Sequence, residues 1–348
     1  MKRIGAKLTG SLGAPLAIIG GLWTAPVAAQ GQLNVYCSVQ VEWCQAIVTN
    51  FQKASGITVN MTQKGSGETL AQIRAEAQNP KGDVWFGGTG DPHLIIAEEN
   101  LSVEYKSAAL AELHPWAIRQ YEAAKGKSIG VYSGAIGFGF NSELLQKKKI
   151  EAPACWADLL KPAYKGEIQV ANPSASGTAY VIIATLIQIM GEDKAFAYMK
   201  ELHTNINAYA RSGTGPIKAV ARGETAVSLS FVHDAVTEKN AGFPVGYNTP
   251  CEGTGFEIGS LSIIKGARNL SQAQKFYDWA LTPEAQKLGF DVGKQMQMSS
   301  NKATPLPAGA PDLSKIKLLD YDFVKYGSTA ERKRLLARWD AEISTLPR

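Results

Sequence analysis

Asp83-Val-Trp-Phe86 is a short apolar run, and Gly87-Gly88-Thr89-Gly90 breaks it. Asp91-Pro92 follows, two residue types favoured where a helix begins. The stretch therefore predicts a strand, a tight turn and a helix. The segments before it have the same rhythm. Leu33-Asn-Val-Tyr36 is a strand, and Trp43 to Lys53 has helical spacing, with Trp43, Ile47, Val48 and Phe51 on one face. Ile57 to Met61 alternates as a strand, and Glu68 to Gln78 is a helix ended by Asn79-Pro80. A β-α-β-α-β-α order predicts an α/β fold whose mostly parallel sheet is covered by helices.

The second half repeats the theme. Lys165 to Val170 is a strand, Ala179 to Met190 a helix, and Ala226 to Val232 a strand entering another helix. Two Gly-rich extended runs, Ile129 to Phe140 and Gly255 to Ile264, flank this unit. They predict a pair of hinge strands joining two lobes. The expected first lobe is 30–134 with 259–300. The second is 135–258 with 301–348, which carries the C-terminal helices. Residues 269–290 and 330–346 read as amphipathic helices, and Pro305 to Pro311 as a turn-rich connector.

The length of 348 residues allows about two domains. No apolar run reaches the ~18 residues of a membrane span. Residues 1–29 read as an export signal: Lys2, Arg3 and Lys7 precede an apolar stretch, and Val27 and Ala29 place cleavage after Ala29. Beyond it stand 33 basic and 31 acidic residues, so no nucleic-acid-binding surface is indicated. Four cysteines in an exported chain predict disulfides. Cys37 and Cys44 flank a loop leading into a helix and are paired on that ground, which leaves Cys155 with Cys251. No paired-Cys motif and no neighbouring His supports a metal site, so neither metal nor cofactor is expected.

Ligands of parallel α/β sheets meet the carboxyl ends of strands, where helix N-termini present free N–H groups. Four loops at that position are rich in small or hydroxylic residues: Cys37-Ser38-Val39, Lys64-Gly65-Ser66-Gly67-Glu68-Thr69, Gly87-Gly88-Thr89-Gly90 and Asn172-Pro-Ser-Ala-Ser-Gly-Thr178. Backbone amides with Ser and Thr hydroxyls bind phosphate. The same residues are also ordinary helix caps, so each loop alone reads either way. Lys64 and Arg211 are candidate cations. No P-loop and no dinucleotide fingerprint is present. His233-Asp234 at a strand end and Glu257 in a hinge strand are candidates for acid/base work or for hydroxyl binding. No nucleophile motif accompanies them, which points away from an enzyme. His93, His114 and His203 read as structural.

Several stretches carry a family likeness: Val35-Tyr-Cys-Ser-Val-Gln40, Gly82 to Asp91, Lys165 to Pro173, Ser176-Gly-Thr-Ala-Tyr180, Lys218 to Glu224, Gly259 to Gly266 and Asp278 to Gln286. With them the chain resembles the periplasmic solute-binding proteins of ABC importers, in the group that takes ferric iron, thiamine and phosphorylated solutes. The resemblance implies a type II two-lobed fold that closes over a small ligand without catalysis. It also implies a monomer that delivers to a membrane permease and its ATPase. Ferric-iron binders of this kind use two adjacent tyrosines, whereas Tyr180, Tyr209 and Tyr247 here are isolated. Thiamine would want aromatic stacking, with Trp43, Trp85 and Trp116 as the candidates. Phe231-Val-His-Asp-Ala235 and Gly255-Phe-Glu-Ile-Gly259 instead resemble the hexose-phosphate binders. That likeness implies that His233, Asp234 and Glu257 orient a sugar while Ser38, Ser66, Ser176, Gly177 and Thr178 hold its phosphate. A small phosphonate, its amine held by the carboxylates, is the next choice.

Overall fold

A computed structural model describes residues 31–347; the expected export segment and its cleavage point lie outside the described residues. The strands are β1 (Gln32–Cys37), β2 (Thr58–Gln63), β3 (Val84–Phe86), β4 (Ile129–Asn141), β5 (Ile168–Ala171), β6 (Ile206–Ala210), β7 (Val227–Phe231), β8 (Val245–Asn248), β9 (Phe256–Ile263) and β10 (Met298–Ser299). They follow the order β2-β1-β3-β9-β4-β7-β5-β6, with β8 and β10 both paired to β4.

The sheet is mixed, which corrects the expectation of a mostly parallel one. β1 pairs in parallel with β2 and β3, and β5 with β6 and β7. Every pairing made by β4 or β9 is antiparallel. The reason is connectivity. Helical crossovers give parallel neighbours, whereas the two long strands pass between the halves in opposite directions and must pair antiparallel to each other and to what they meet. β4 runs 13 residues, from pairing with β9 and β10 into pairing with β7 and β8. It is the shared spine of a two-lobed molecule.

Each lobe has its own core. One gathers Leu33, Trp43, Phe51, Phe86, Tyr132 and Phe276; the other gathers Phe138, Trp156, Tyr180, Phe196, Leu229 and Trp339. The helix Gly177–Met190 is apolar almost all round and buried from Gly177 to Ile187, as a helix sandwiched between layers must be. The reading of 269–290 as helical resolves into Leu270–Ala280 and Pro283–Asp291, divided where Thr282 caps the second and Pro283 opens it. The stretch 330–346 becomes a helix Thr329–Trp339 that passes into a wider turn, Asp340–Ser344. Cys37 is bonded to Cys44 and Cys155 to Cys251. No described helix is long and apolar enough to cross a membrane.

Candidate functional site

The lobes touch across a cleft. The Gly67 N–H donates to the Ala175 carbonyl (3.2 Å), and Gln40 Nε2 donates to Asp234 Oδ1 (2.7 Å). Arg211 pairs with Glu68 (2.7 Å) at the exposed mouth, and Thr237 Oγ1 donates to the Lys294 carbonyl. This is a closed conformation. Gly67 is required by it, because a Cβ there would lie 2.5 Å from the Ser174 carbonyl oxygen. Between the lobes lies a cavity of about 290 Å³. Ser38, Ser66, Ser176, Gly177, Thr178, His233, Asp234 and Glu257, the candidates drawn from the sequence, all line it.

One end is built from helix N-termini. The helices Ser66–Ala75, Gly90–Glu98 and Gly177–Met190 begin at Gly65, Thr89 and Ser176, and none of these caps makes a side-chain cap bond. The alternative reading of Ser176 and Thr89 as self-sufficient caps is therefore not realised. Thr89 and Ser66 line the cavity from one lobe, and Ser176, Gly177 and Thr178 at the start of Gly177–Met190 line it from the other. Ser38 is committed further back, where its hydroxyl accepts from Trp85 Nε1 (2.9 Å) and meets Thr69 Oγ1 (3.1 Å). The Ser66 hydroxyl accepts from the Thr89 N–H (3.3 Å), which ties two of the loops together. Lys64 lines the cavity while bonding Gln72 (2.5 Å). Lys218, which the sequence reading passed over as a site residue, also lines it.

The other end holds the acids. His233 and Asp234 lie in the first turn of the helix Val232–Asn240, one residue and more beyond the strand end expected for them. His233, Asp234 and Glu257 are 2%, 4% and 4% exposed. His233 Nε2 stands 3.6 Å from Asp234 and 3.9 Å from Glu257. Burial lowers the imidazole to about 3, so it is neutral. Burial, helped by the Glu238 charge, raises Asp234 to about 7. Burial and then the Asp234 charge hold Glu257 well above the usual carboxylate range. This end thus combines a neutral imidazole with two carboxyl groups whose ionisation burial opposes, a set of donors and acceptors that suits hydroxyl groups. The imidazole fits because residue 134 is glycine: a Cβ there would lie 2.1 Å from His233 Nδ1. Phe231 stacks on the imidazole (5.2 Å) and closes this side.

Tyr132 lines the cavity, and its hydroxyl accepts from the Gly88 N–H (2.9 Å). Gly88 sits at φ +87°, a conformation glycine adopts freely. Tyr180, Tyr209 and Tyr247 lie elsewhere: Tyr180 donates to the Tyr326 carbonyl, Tyr209 meets His203, and Tyr247 packs beside Val245. No tyrosine pair faces the cavity among the described residues. Trp43 and Trp85 are buried in the first lobe and Trp116 packs against its core; none lines the cavity. His93 is buried between Ser262 and the Gly87 carbonyl, and His203 between Tyr209 and the Leu346 carbonyl. His114 is the cap residue of Pro115–Ala123.

Comparison with known proteins agrees with this geometry. Residues 46–301 match the family described as bacterial extracellular solute-binding protein. An uncharacterized protein of Haemophilus influenzae is 42% identical over 337 residues, 96% of each chain. The periplasmic binding protein AfuA of Actinobacillus pleuropneumoniae, solved with exogenous fructose-6-phosphate bound, is 45% identical, with a TM-score of 0.88 over 91% of this chain and 100% of that one. A putative 2-aminoethylphosphonate-binding periplasmic protein of Salmonella paratyphi A is 27% identical over 290 residues, 78% of this chain and 80% of the relative. Proteins of this kind bind small ligands and work with the permease of an ABC importer. The chain belongs to the bacterial extracellular solute-binding proteins.

Proposed function

We propose that this protein captures a small phosphorylated solute, a sugar phosphate by first choice, and delivers it to an ABC permease and its ATPase. The observation that carries this reading is the polarity of the cavity. Three helix starts, at Gly65, Thr89 and Ser176, stand at one end, and neutral His233 with the acids Asp234 and Glu257, whose ionisation burial opposes, at the other. Helix N-termini favour a dianion, while two acids beside a phosphate would repel it. A ligand with phosphate at one end and hydroxyls at the other meets both demands. The sugar phosphate bound by AfuA supports the choice.

In this reading Ser66, Ser176, Gly177 and Thr178 hold the phosphate and Ser38 braces their loop, while His233, Asp234 and Glu257 orient the sugar. The lobes, 30–134 with 259–300 and 135–258 with 301–348, rotate about β4 and β9, and a ligand that touches both favours closure. The protein acts as a monomer, exported to the periplasm after cleavage behind Ala29, and performs no catalysis. A phosphonate whose amine meets the acids is the second reading, supported by the Salmonella relative.

The test is a thermal-shift screen of the mature, ligand-stripped chain. Its panel holds hexose 6-phosphates, free hexoses, inorganic phosphate, 2-aminoethylphosphonate, thiamine phosphates and ferric citrate. A ligand at about 100 times its Kd stabilises by about 2.7 kcal/mol. Shifts with sugar phosphates but not with free hexoses or iron are expected. A shift with ferric citrate alone would overturn the reading, and phosphate release from a sugar phosphate would replace it with hydrolysis.

A further inference from the structure

Four side chains lining the cavity, Gln40, Thr89, His233 and Gln297, hold a buried polar atom with no partner among the described residues, and Gln297 alone of them has no role in the site described above. Gln297 is 5% exposed and lines the cleft. Its Oε1 is buried and has no hydrogen-bond partner among the described residues. A buried amide oxygen with no partner is costly unless something else satisfies it.

Strand register says what it faces. β10 pairs antiparallel with β4 through Met298↔Ser133 and Ser299↔Tyr132. One step further along that ladder, Gln297 falls opposite Gly134. On its other side Gly134 pairs with Glu257. Residues directly opposite in antiparallel strands point to the same face. Glu257 and Gln297 therefore flank a bare glycine, and the His233 imidazole occupies the space above it. The Gln297 amide belongs to the hydroxyl-binding end, beside Glu257 and His233, and it comes from the first lobe, whereas His233 and Asp234 come from the second.

We propose that Gln297 is a specificity-determining residue whose Oε1 accepts from a hydroxyl of the ligand's sugar portion, which rests on the function proposed above. A ligand lacking that hydroxyl leaves Oε1 buried and unpaired, so the residue selects by penalising the wrong solute rather than by attracting every anion.

The test is titration calorimetry of the mature wild type, Gln297→Leu and Gln297→Asn against a hexose 6-phosphate, its singly deoxygenated analogues and inorganic phosphate. Leucine keeps most of the volume without the amide; asparagine keeps the amide but shortens its reach and is the variant to read where leucine does not fold. Substitution should weaken hexose 6-phosphate binding by about 10- to 100-fold. Inorganic phosphate binding should stay within about twofold of wild type, and discrimination against one deoxy analogue should vanish. Unchanged hexose phosphate binding, or equal losses for hexose phosphate and inorganic phosphate, overturns the assignment. A wild type that binds no sugar phosphate at all overturns the functional reading itself, an outcome separate from any effect of the variants.

Discussion

Two sets of helix N-termini behave differently in this molecule. Asn141, Thr282, Asp322 and Ser328 cap their own helices, each side chain accepting a first-turn N–H. Gly65, Thr89 and Ser176 open the helices at the cleft and accept none. Gly65 has no side chain to cap with, and Asn269, away from the cavity, also opens its helix without a cap bond; but Thr89 and Ser176 match Thr282 and Ser328 in residue type, so for that pair side-chain chemistry does not explain the difference. Gly65, Thr89 and Ser176 differ in place: they converge from two lobes on one cavity, which all three line. The contrast separates residues that serve the fold from residues that serve the ligand, and each of its sides can be broken separately.

The largest effect is expected at Gly67→Ala. The added methyl meets the Ser174 backbone carbonyl of the opposite lobe at 2.5 Å, and backbone there has little room to yield. The clash exists only when the lobes are together. Inside the helix Ser66–Ala75, alanine is better than glycine by up to about 1 kcal/mol. The ligand-free variant should therefore melt at or slightly above the wild-type temperature, while affinity for a sugar phosphate falls by roughly 100-fold or more. Paired calorimetry and thermal melts check this. Wild-type affinity in the variant would show that the Gly67–Ala175 contact is not part of the ligand-bound state.

A smaller, crossed effect is expected from a pair of serines. Ser328 Oγ accepts from the Glu331 N–H (3.3 Å), so Ser328→Ala should cost about 1 kcal/mol of stability with unaltered affinity. Ser176 makes no such bond, so Ser176→Ala should leave stability within about 0.5 kcal/mol. It should weaken phosphate-ligand binding about tenfold, the loss of one charge-assisted hydrogen bond. Chemical unfolding and titration of both variants give a two-by-two result. Stability loss at Ser176 without affinity loss would return that residue to the ordinary caps.

Half of the site was legible in the sequence for a local reason. Ser38, Ser66, Thr89 and Ser176 each follow a strand and open a helix within a few residues, so a short window holds both the element change and the residue type. His233 and Asp234 were visible in the same way, although strand β7 ends at Phe231 and both belong to the following helix. Gln40, Tyr132, Lys218 and Gln297 were not singled out. Tyr132 sits inside an unbroken apolar run and looks like core. Gln297 reaches the cleft because a two-residue strand, β10, pairs with β4 more than 160 positions away. No local pattern announces so short a strand. The mixed sheet was hidden for the same reason, since strand direction depends on partners and the partners of β4 and β9 are distant in sequence.

The finest test of the contrast between the cleft's two ends is its response to pH. In the closed state Asp234 is held up to about 7, by burial first and then by the Glu238 charge. An open cleft returns it toward ~3.9. Closure then takes up a proton between those values, so the affinity that Asp234 contributes is full below about pH 4, declines as pH rises and is gone by about 7. Glu257 acts in the same direction. His233, lowered to about 3 by burial, acts oppositely: its contribution is full above ~6.5 and is lost as pH falls toward 3. Lys218, which lowers Asp234, Tyr132, and Asp91, which raises Glu257 and is paired with Arg332, also act at this end. Asp234→Asn keeps an acceptor for Gln40 Nε2 and removes the titration. The ratio of wild-type to Asp234→Asn affinity should therefore fall by a few-fold per pH unit from about 4.5 to 7 and be level above 7. The phosphate's own second ionisation near pH ~6 cancels in that ratio, because both proteins bind the same ligand. Parallel pH profiles for the two proteins would mean that Asp234 stays ionised in the closed cleft, and its charge would then oppose a sugar phosphate's own.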